Sequence, residues 1–379
     1  MEVYLDNSAT TRPYDEAAQV VYDTMINNYG NPSSLHRMGK RAEDLLTKSR
    51  ETIAGTIFCK PDEVYFTSGG TESDNLAIIG YALANRRRGN KIITQRTEHK
   101  AVTESFDYLE KQGFTVCRLG VDSEGRINLD ELKAELDGDT ILVSIMAVNN
   151  ETGTVMPIDE ISQMIDHAKC ALHVDAVQAY GKMKINAPRL GIDMLTMSAH
   201  KIHGPNGVGA LYIRKGLRVQ PIVMGGQQER TIRSGTENLA GIAGFAKAAE
   251  IKFASMDKTA QYVGGLKALL ADRIKNIPGS VINSPSDSLY CLLNVSFVGV
   301  RSEVLLHVLE SNGIYVSTGS ACNSRKNKFS YVLSEMNLCA ARIDSAVRFS
   351  LSEFNTAEEI EYTADVLSKE VPLLQKIMR

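Results

Sequence analysis

Short apolar segments alternate with helical stretches through most of this 379-residue chain. The apolar segments have the length and continuous hydrophobic character of strands that are buried on both faces of a sheet. Because strands separated by helices form βαβ units, the pattern predicts an α/β fold with a mainly parallel sheet. The predicted strands are 64–67, 91–94, 140–145, 172–175, 193–197 and 209–213, and the predicted helices include 41–58, 73–87, 101–112 and 158–168.

A long helical pattern over residues 239–277 separates this region from a different arrangement at the C-terminal end. Beyond Pro278 the predicted order is strand, helix, strand, polar loop, strand and helix, which is typical of an α+β module. Single cores rarely grow to this chain length, so we expect two domains connected by the long helix.

Composition argues against several classes of partner. The formal net charge is -3, and the longest basic run is Arg86-Arg87-Arg88, so we expect neither direct nucleic-acid binding nor a membrane-surface role. The first residues do not resemble a signal peptide, and no apolar run is long enough to span a bilayer, which predicts a cytoplasmic protein. The six cysteines form no C-x-x-C pair and predict neither a zinc site nor disulfides.

The segment Ser198-Ala199-His200-Lys201 follows a predicted buried strand and precedes a turn. A lysine held at a strand end, beside a hydroxyl and an imidazole, is suited to binding the aldehyde of pyridoxal phosphate (PLP) covalently. A solvated loop lysine is the alternative, and the segment by itself does not decide between them.

Two other strand ends carry candidate ligand-binding residues. Thr67-Ser68-Gly69-Gly70-Thr71 precedes a predicted helix, whose N-terminal N–H groups can bind a phosphate, although an ordinary βα turn has the same composition. Asp175 ends the strand 172–175, where its carboxylate could pair with a protonated pyridine nitrogen or cap a helix. Ligands of open α/β sheets bind at this edge.

Further polar residues follow the same logic. His99 could stack on a cofactor ring, act as a catalytic residue that shuttles a proton, or be structural. Asn150 could orient a ligand or cap a turn. Arg348 lies between apolar neighbours on a predicted strand and needs a carboxylate, which either a substrate or a structural acid could supply. Cys322 lies in a small, polar, basic segment that favours its thiolate and makes it a candidate nucleophile.

In this order, the motifs resemble the cysteine desulfurases of the IscS/NifS type, within the class-V aminotransferases of fold-type I PLP enzymes. The resemblance runs almost end to end. It rests on the segments 4–11, 30–36, 69–73, 149–153, 175–178, 198–201, 225–229, 233–236 and 320–322. It implies a large domain (15–257) with a seven-stranded, mainly parallel sheet, and a small α+β domain (1–14 with 258–379) that carries the Cys322 segment.

The resemblance also implies a role for each site residue. Lys201 binds PLP covalently and later takes the substrate α-proton, and Cys322 accepts sulfur from L-cysteine as a persulfide. Around the cofactor, the phosphate is held by Gly70, Thr71, Ser198 and His200, and Thr236 reaches the phosphate of the other subunit of a homodimer. At the ring, Asp175 pairs with the nitrogen, Gln178 bonds the hydroxyl and His99 stacks on the ring face. Asn150 and Arg348 receive the substrate carboxylate or its surroundings.

Alternatives remain open at this point. A selenocysteine lyase would use the same cofactor residues, a same-fold aminotransferase would not need Cys322, and a PLP-binding docking protein would not need the catalytic set. The segment after Cys322 is more basic than in many relatives, and the chain ends sooner after its last helix. The sulfur acceptor therefore stays open between an iron–sulfur scaffold and a tRNA-thiolation or thiamine-pathway protein.

Overall fold

The computed structural model describes residues 1–318 and 329–378. Its strands coincide closely with the apolar segments of the sequence, because those segments are buried on both faces. Numbered in chain order, the strands are β1 (Val3–Tyr4), β2 (Val64–Thr67), β3 (Lys91–Gln95), β4 (Thr115–Leu119), β5 (Thr140–Met146), β6 (Ala171–Asp175), β7 (Met194–Ser198), β8 (Gly209–Ile213), β9 (Ser280–Ile282), β10 (Leu292–Phe297), β11 (Ile314–Tyr315) and β12 (Ala346–Ser350).

Within the described residues, the central sheet has seven strands in the order β2-β8-β7-β6-β5-β3-β4. Strands β4, β3, β5, β6 and β7 run parallel, whereas β8 is antiparallel to both of its neighbours. Every residue of β5, β6 and β7 is buried, as expected for a sheet covered by helices on both faces. The predicted α/β class and mainly parallel seven-stranded sheet are confirmed.

Helices cover the sheet and connect its strands. They are α1 (Asp15–Asn27), α2 (Arg37–Thr56), α3 (Gly70–Asn75), α4 (Tyr81–Asn85), α5 (Lys100–Lys111), α6 (Leu129–Glu135), α7 (Ile158–Met164), α8 (Leu239–Ile274), α9 (Ser302–Ser311), α10 (Tyr331–Glu335), α11 (Ala340–Asp344) and α12 (Ala357–Ile377). A π-helical turn, Leu76–Gly80, joins α3 to α4, so the helix predicted over 73–87 is continuous but not regular. Helix α7 ends four residues earlier than its predicted end at residue 168.

The C-terminal part of the chain forms a smaller sheet in the order β12-β10-β9, with antiparallel neighbours. Strand β1, from the start of the chain, pairs with β11, and Asp6 bridges to Ser350 at the end of β12. The N-terminal segment thus packs on the C-terminal sheet before it reaches the central one. The 36-residue helix α8 crosses residue 257, where we predicted the domain boundary.

No helix among the described residues is long and apolar enough to cross a membrane.

Candidate active site

A cavity of about 250 Å³ lies at the carboxyl ends of β5, β6 and β7. Side chains at these ends converge because parallel strands present the same edge. Ten of the predicted site residues line this cavity: Gly70, Thr71, His99, Asn150, Asp175, Gln178, Ser198, His200, Lys201 and Arg348.

Lys201 ends a 3₁₀ turn (Ala199–Lys201) that directly follows β7. Its Nζ atom donates to the backbone oxygens of Ser8, at 2.6 Å, and Ala9, at 2.7 Å. The N-terminal segment also binds this turn through the Thr11 amide, which donates to the His200 carbonyl at 3.0 Å. Two main-chain acceptors therefore fix the amine at the cavity wall.

Asp175 is the last residue of β6, and its side chain is buried. Its Oδ1 atom accepts from the Val177 amide at 2.9 Å. Burial raises the pKa of Asp175, while the nearby His99 and Lys201 oppose that rise. A carboxylate in this position gains from a cation in the cavity, because burial penalises an unpaired negative charge.

His99 precedes helix α5 and caps it. Its Nδ1 atom accepts from the Ala101 amide at 3.1 Å, which assigns the ring proton of the neutral form to Nε2. Burial lowers the pKa of His99, and the Lys201 and Lys100 charges lower it further, although Asp175 opposes them. The imidazole is therefore neutral at neutral pH and can lie against a flat ring.

Small and hydroxyl residues form the end of the cavity beside α3. Gly70 begins that helix, and a Cβ atom at this position would lie 2.7 Å from the Val177 Cγ2 atom, so the close packing requires glycine. The buried Ser198 Oγ atom has no hydrogen-bond partner among the described residues. Burial, with the Lys201 and Lys182 charges, lowers the pKa of His200 to about 4. This end offers neutral donors to an anion.

Arg348, on β12, brings the C-terminal sheet to the cavity. Its Nη1 atom donates to the Asn150 carbonyl at 2.9 Å, and its Nη2 atom donates to Asp6 Oδ1 at 2.7 Å. Two buried atoms, Arg348 Nε and Asn150 Oδ1, have no hydrogen-bond partner in the described part of the chain. Unsatisfied buried polar atoms are costly, so a polar ligand that bonds to these two atoms would be stabilised here.

Two predicted residues do not appear among those that line the cavity. Thr236 is exposed and does not line the cavity. Its loop is held against α3 by an ion pair in which Arg233 Nε and Glu72 Oε1 lie 2.7 Å apart. Cys322 lies outside the described residues.

Several cavity residues were not predicted from the sequence, namely Ser8, Ala9, Asp74, Met146, Val148 and Val177. Ser8 and Ala9 act through backbone oxygens, which no residue type reveals. Asp74 is the surprising one, because it lies inside the helical segment and is almost fully buried. Its pKa is raised well above its usual value by burial and by the neighbouring Asp175.

Comparison with known proteins assigns the family. The profile of the class-V aminotransferases matches residues 3–363. The chain belongs to this family. Enzymes of the class-V aminotransferase family depend on PLP.

Relatives within the class-V aminotransferases narrow the assignment to the cysteine desulfurases. A protein named cysteine desulfurase IscS from Dictyoglomus turgidum is 43% identical over 378 residues, covering 99% of this chain and 96% of the relative. A protein of the same name from Methanosarcina thermophila is 42% identical, covering 99% and 93%. A solved structure of a NifS-like protein superposes with a TM-score of 0.94 at 39% identity, covering 98% of this chain and all of that one.

Proposed function

We propose that this chain is a PLP-dependent cysteine desulfurase, which removes sulfur from L-cysteine and yields L-alanine and a persulfide on Cys322. The observation that carries the proposal is the convergence of Lys201, Asp175 and Arg348 on one cavity. These residues supply an amine, a buried acid and a carboxylate-binding cation. The relatives named cysteine desulfurase support the same conclusion.

The cavity fits PLP on structural grounds. The Lys201 amine would bind the aldehyde, and the buried Asp175 carboxylate would pair with the protonated ring nitrogen. Neutral His99 would lie against the ring, and Gln178 would bond the ring hydroxyl. The unpartnered Ser198 Oγ atom, with Gly70, Thr71 and His200, would hold the phosphate.

When bound, PLP withdraws electrons from the α-carbon of an amino acid. Lys201 is the base placed to take the α-proton of the substrate and to return a proton on the way to the product. Asp175 would favour a protonated ring nitrogen, because that positive charge would stabilise the buried carboxylate. Arg348 and Asn150 orient the substrate through the atoms that lack partners among the described residues.

Sulfur transfer then requires a nucleophile, and we assign it to Cys322. Its thiolate forms a bond to the substrate sulfur while the carbon–sulfur bond breaks. The electron pair of the broken bond stays with the substrate β-carbon, which takes up one proton and becomes the methyl group of alanine. Atoms and electrons balance, because the transferred sulfur stays on Cys322 as a persulfide, from which a later acceptor can take it, and alanine is released.

The direct test is conversion of L-cysteine by purified protein reconstituted with PLP. We expect alanine and, with a thiol reductant, sulfide in equal amounts, together with visible absorbance from the bound cofactor. Lys201→Ala should lose both the covalent adduct and turnover, whereas Lys215→Ala, at a solvent-exposed lysine paired with Asp62, should keep both. Wild-type protein that binds no PLP would overturn the proposal. Turnover of selenocysteine but not cysteine would favour the lyase alternative.

We further propose that the enzyme is a cytoplasmic homodimer that passes sulfur to an acceptor protein, either an iron–sulfur scaffold or a tRNA-thiolation enzyme. The exposed Thr236, held on a loop beside α3, supports a contact with a second subunit. The five cysteines of the described residues are unpaired, which supports a reducing compartment.

A further inference from the structure

Gln178 lies between a cation and a carbonyl oxygen. Its Oε1 atom accepts from Lys182 Nζ at 3.2 Å, and its Nε2 atom donates to the Ser8 carbonyl at 3.0 Å. We propose that Lys182 is a positioning residue that fixes the Gln178 amide, so that Gln178 presents only an N–H donor to the cofactor's ring oxygen. The proposal deepens the proposed function and rests on it for the identity of the ligand.

The two contacts allow only one orientation of the amide. A glutamine amide has a donor end and an acceptor end that can exchange places by rotation. An ammonium group has three donors and no acceptor, so only Oε1 can face Lys182. The Ser8 carbonyl is an acceptor, so only Nε2 can face it. Rotation would break both contacts at once and leave polar groups unpaired in a largely buried place.

Lys182 lies among other charged and titratable side chains. It lines a small cavity together with Lys201, Lys252, Tyr290, Cys291 and Glu353. Burial lowers the pKa of Lys182, and Lys252 and Arg348 add to this effect, whereas Cys291 and Glu353 oppose it. Glu353 is itself paired with Lys252 at 2.7 Å. Glu353 is thus occupied by Lys252, and in the described part of the chain the hydrogen-bond acceptor of Lys182 Nζ is Gln178 Oε1.

A fixed donor has a chemical consequence at the ring oxygen. The amide carries a second N–H hydrogen, and Gln178 lines the cofactor cavity. A hydrogen-bond donor stabilises an anion more than the neutral hydroxyl, so the ring oxygen would lose its proton at lower pH. The other charged or titratable groups lining this cavity are Asp74, His99, Asp175, His200, Lys201 and Arg348. Of these groups, His200 responds directly to Lys182, but burial is the largest cause of its lowered pKa and Lys201 the next, so His200 keeps a lowered pKa when Lys182 is changed.

The test compares two lysines on one short segment. Lys182→Met removes the ammonium group at similar length, and Lys184→Met does the same at an exposed lysine that pairs with Asp257 at 2.8 Å. Each purified variant is titrated with PLP, and the absorbance of the bound cofactor is followed against pH. For Lys182→Met we expect roughly tenfold weaker PLP binding. We also expect the midpoint of the pH titration of the bound cofactor's absorbance to lie about one pH unit higher. Lys184→Met should match wild type.

Two more variants separate positioning from folding. Lys182→Arg keeps a donor-only side chain and should restore the wild-type midpoint, whereas Lys182→Gln can face either end of the amide and should not. If Lys182→Met does not fold, this pair decides the question. If the pH midpoint in Lys182→Met or in Lys182→Gln equals that of wild type, Lys182 does not position the Gln178 amide. That outcome would leave the proposed function unaffected. Failure of wild-type protein to bind PLP would instead overturn the proposed function.

Discussion

Arg348 and Asp6 form an ion pair across 342 residues of sequence, with 2.7 Å between Nη2 and Oδ1. The sequence left two partners open for this arginine, a substrate carboxylate and a structural acid. The structure supplies the structural acid, yet the buried Arg348 Nε atom has no partner among the described residues. Asp6 therefore orients the guanidinium without using all of its donors.

This orientation predicts how Arg348 contributes to substrate binding. Arg348→Lys should raise the KM for L-cysteine about tenfold or more, because lysine lacks the planar pair of donors that a carboxylate matches. Asp6→Asn should raise KM only a few-fold, because it weakens orientation but keeps the guanidinium. Steady-state kinetics at fixed PLP saturation measures both. An unchanged KM in Arg348→Lys would exclude Arg348 from substrate binding.

Asp175 and Asp74 allow a matched comparison of two buried acids. Asp175→Asn should lower kcat about 100-fold or more, because the ring nitrogen loses the negative charge that keeps it protonated. Asp74→Asn should stay within a few-fold of wild type, because burial and the neighbouring Asp175 raise the pKa of Asp74 and so favour the neutral carboxyl form that the amide imitates. The measurement is kcat for variants shown to bind PLP. Equal losses in the two variants would contradict these roles.

Cys322 can be tested against another cysteine of the same chain. Cys322→Ser should abolish alanine formation from L-cysteine but keep PLP absorbance, because a hydroxyl cannot take up the sulfur. The exposed Cys339 offers the control, and Cys339→Ser should turn over at the wild-type rate. Mass spectrometry after a single turnover should find the additional sulfur on the peptide that contains Cys322. Full activity in Cys322→Ser would exclude the persulfide assignment.

Glu98 predicts a dependence of stability on pH. Burial raises its pKa to about 8, although Oε1 accepts from Gln95 and from the Met146 amide. The unfolded chain releases this proton near the ordinary pKa of 4.5. The contribution of Glu98 to the free energy of unfolding is therefore complete below pH 4.5. It is lost as the pH rises towards 8, by at most about 1.4 kcal/mol per pH unit.

Glu98→Gln should reduce that loss because the amide stays neutral. Urea unfolding at pH 5 and pH 8 should show a smaller decline than in wild type. Part of the decline should remain, because burial also raises the pKa of Glu151, to about 7. The exposed Glu104 provides the control, and Glu104→Gln should decline like wild type. If the free energy of unfolding declines equally from pH 5 to pH 8 in all three proteins, the raised pKa of Glu98 is wrong.

Thr236 predicts a link between PLP retention and dimer formation. Thr236→Ala should release PLP several-fold faster than wild type, because the phosphate loses a hydrogen bond from the second subunit. Thr115→Ala, at an exposed threonine on edge strand β4, should not change release. Gel filtration with light scattering establishes the dimer, and dialysis followed by absorbance measures retention. A monomeric wild type that retains PLP would contradict the proposed role of Thr236.

Much of the site could be predicted because it follows strand ends. Asp175 and the Ser198–Lys201 turn are positioned by local chain geometry, since each lies where a buried apolar strand stops. The reversed strand β8 could have been predicted too. Only ten residues separate it from β7, which is shorter than a parallel crossover requires.

Other features depend on contacts between distant parts of the chain. Asp74 becomes a cavity residue only because α3 packs against β7, and its sequence context is that of an ordinary helical acid. The Asp6 carboxylate could not be matched to Arg348 without knowing that β1 pairs with β11 beside β12. The π-helical turn at Leu76–Gly80 has no sequence signal that we recognise.

The pairing of the chain's two ends has a consequence for biosynthesis. The Leu5 carbonyl and the Ser8 amide bond to Ser350, and the Ser8 carbonyl accepts from Lys201. The ribosome makes Ser8 342 residues before Ser350. The contacts of Leu5 and Ser8 with Ser350 therefore form only after every strand of the central sheet has been made, so the cavity closes as one of the last events of folding.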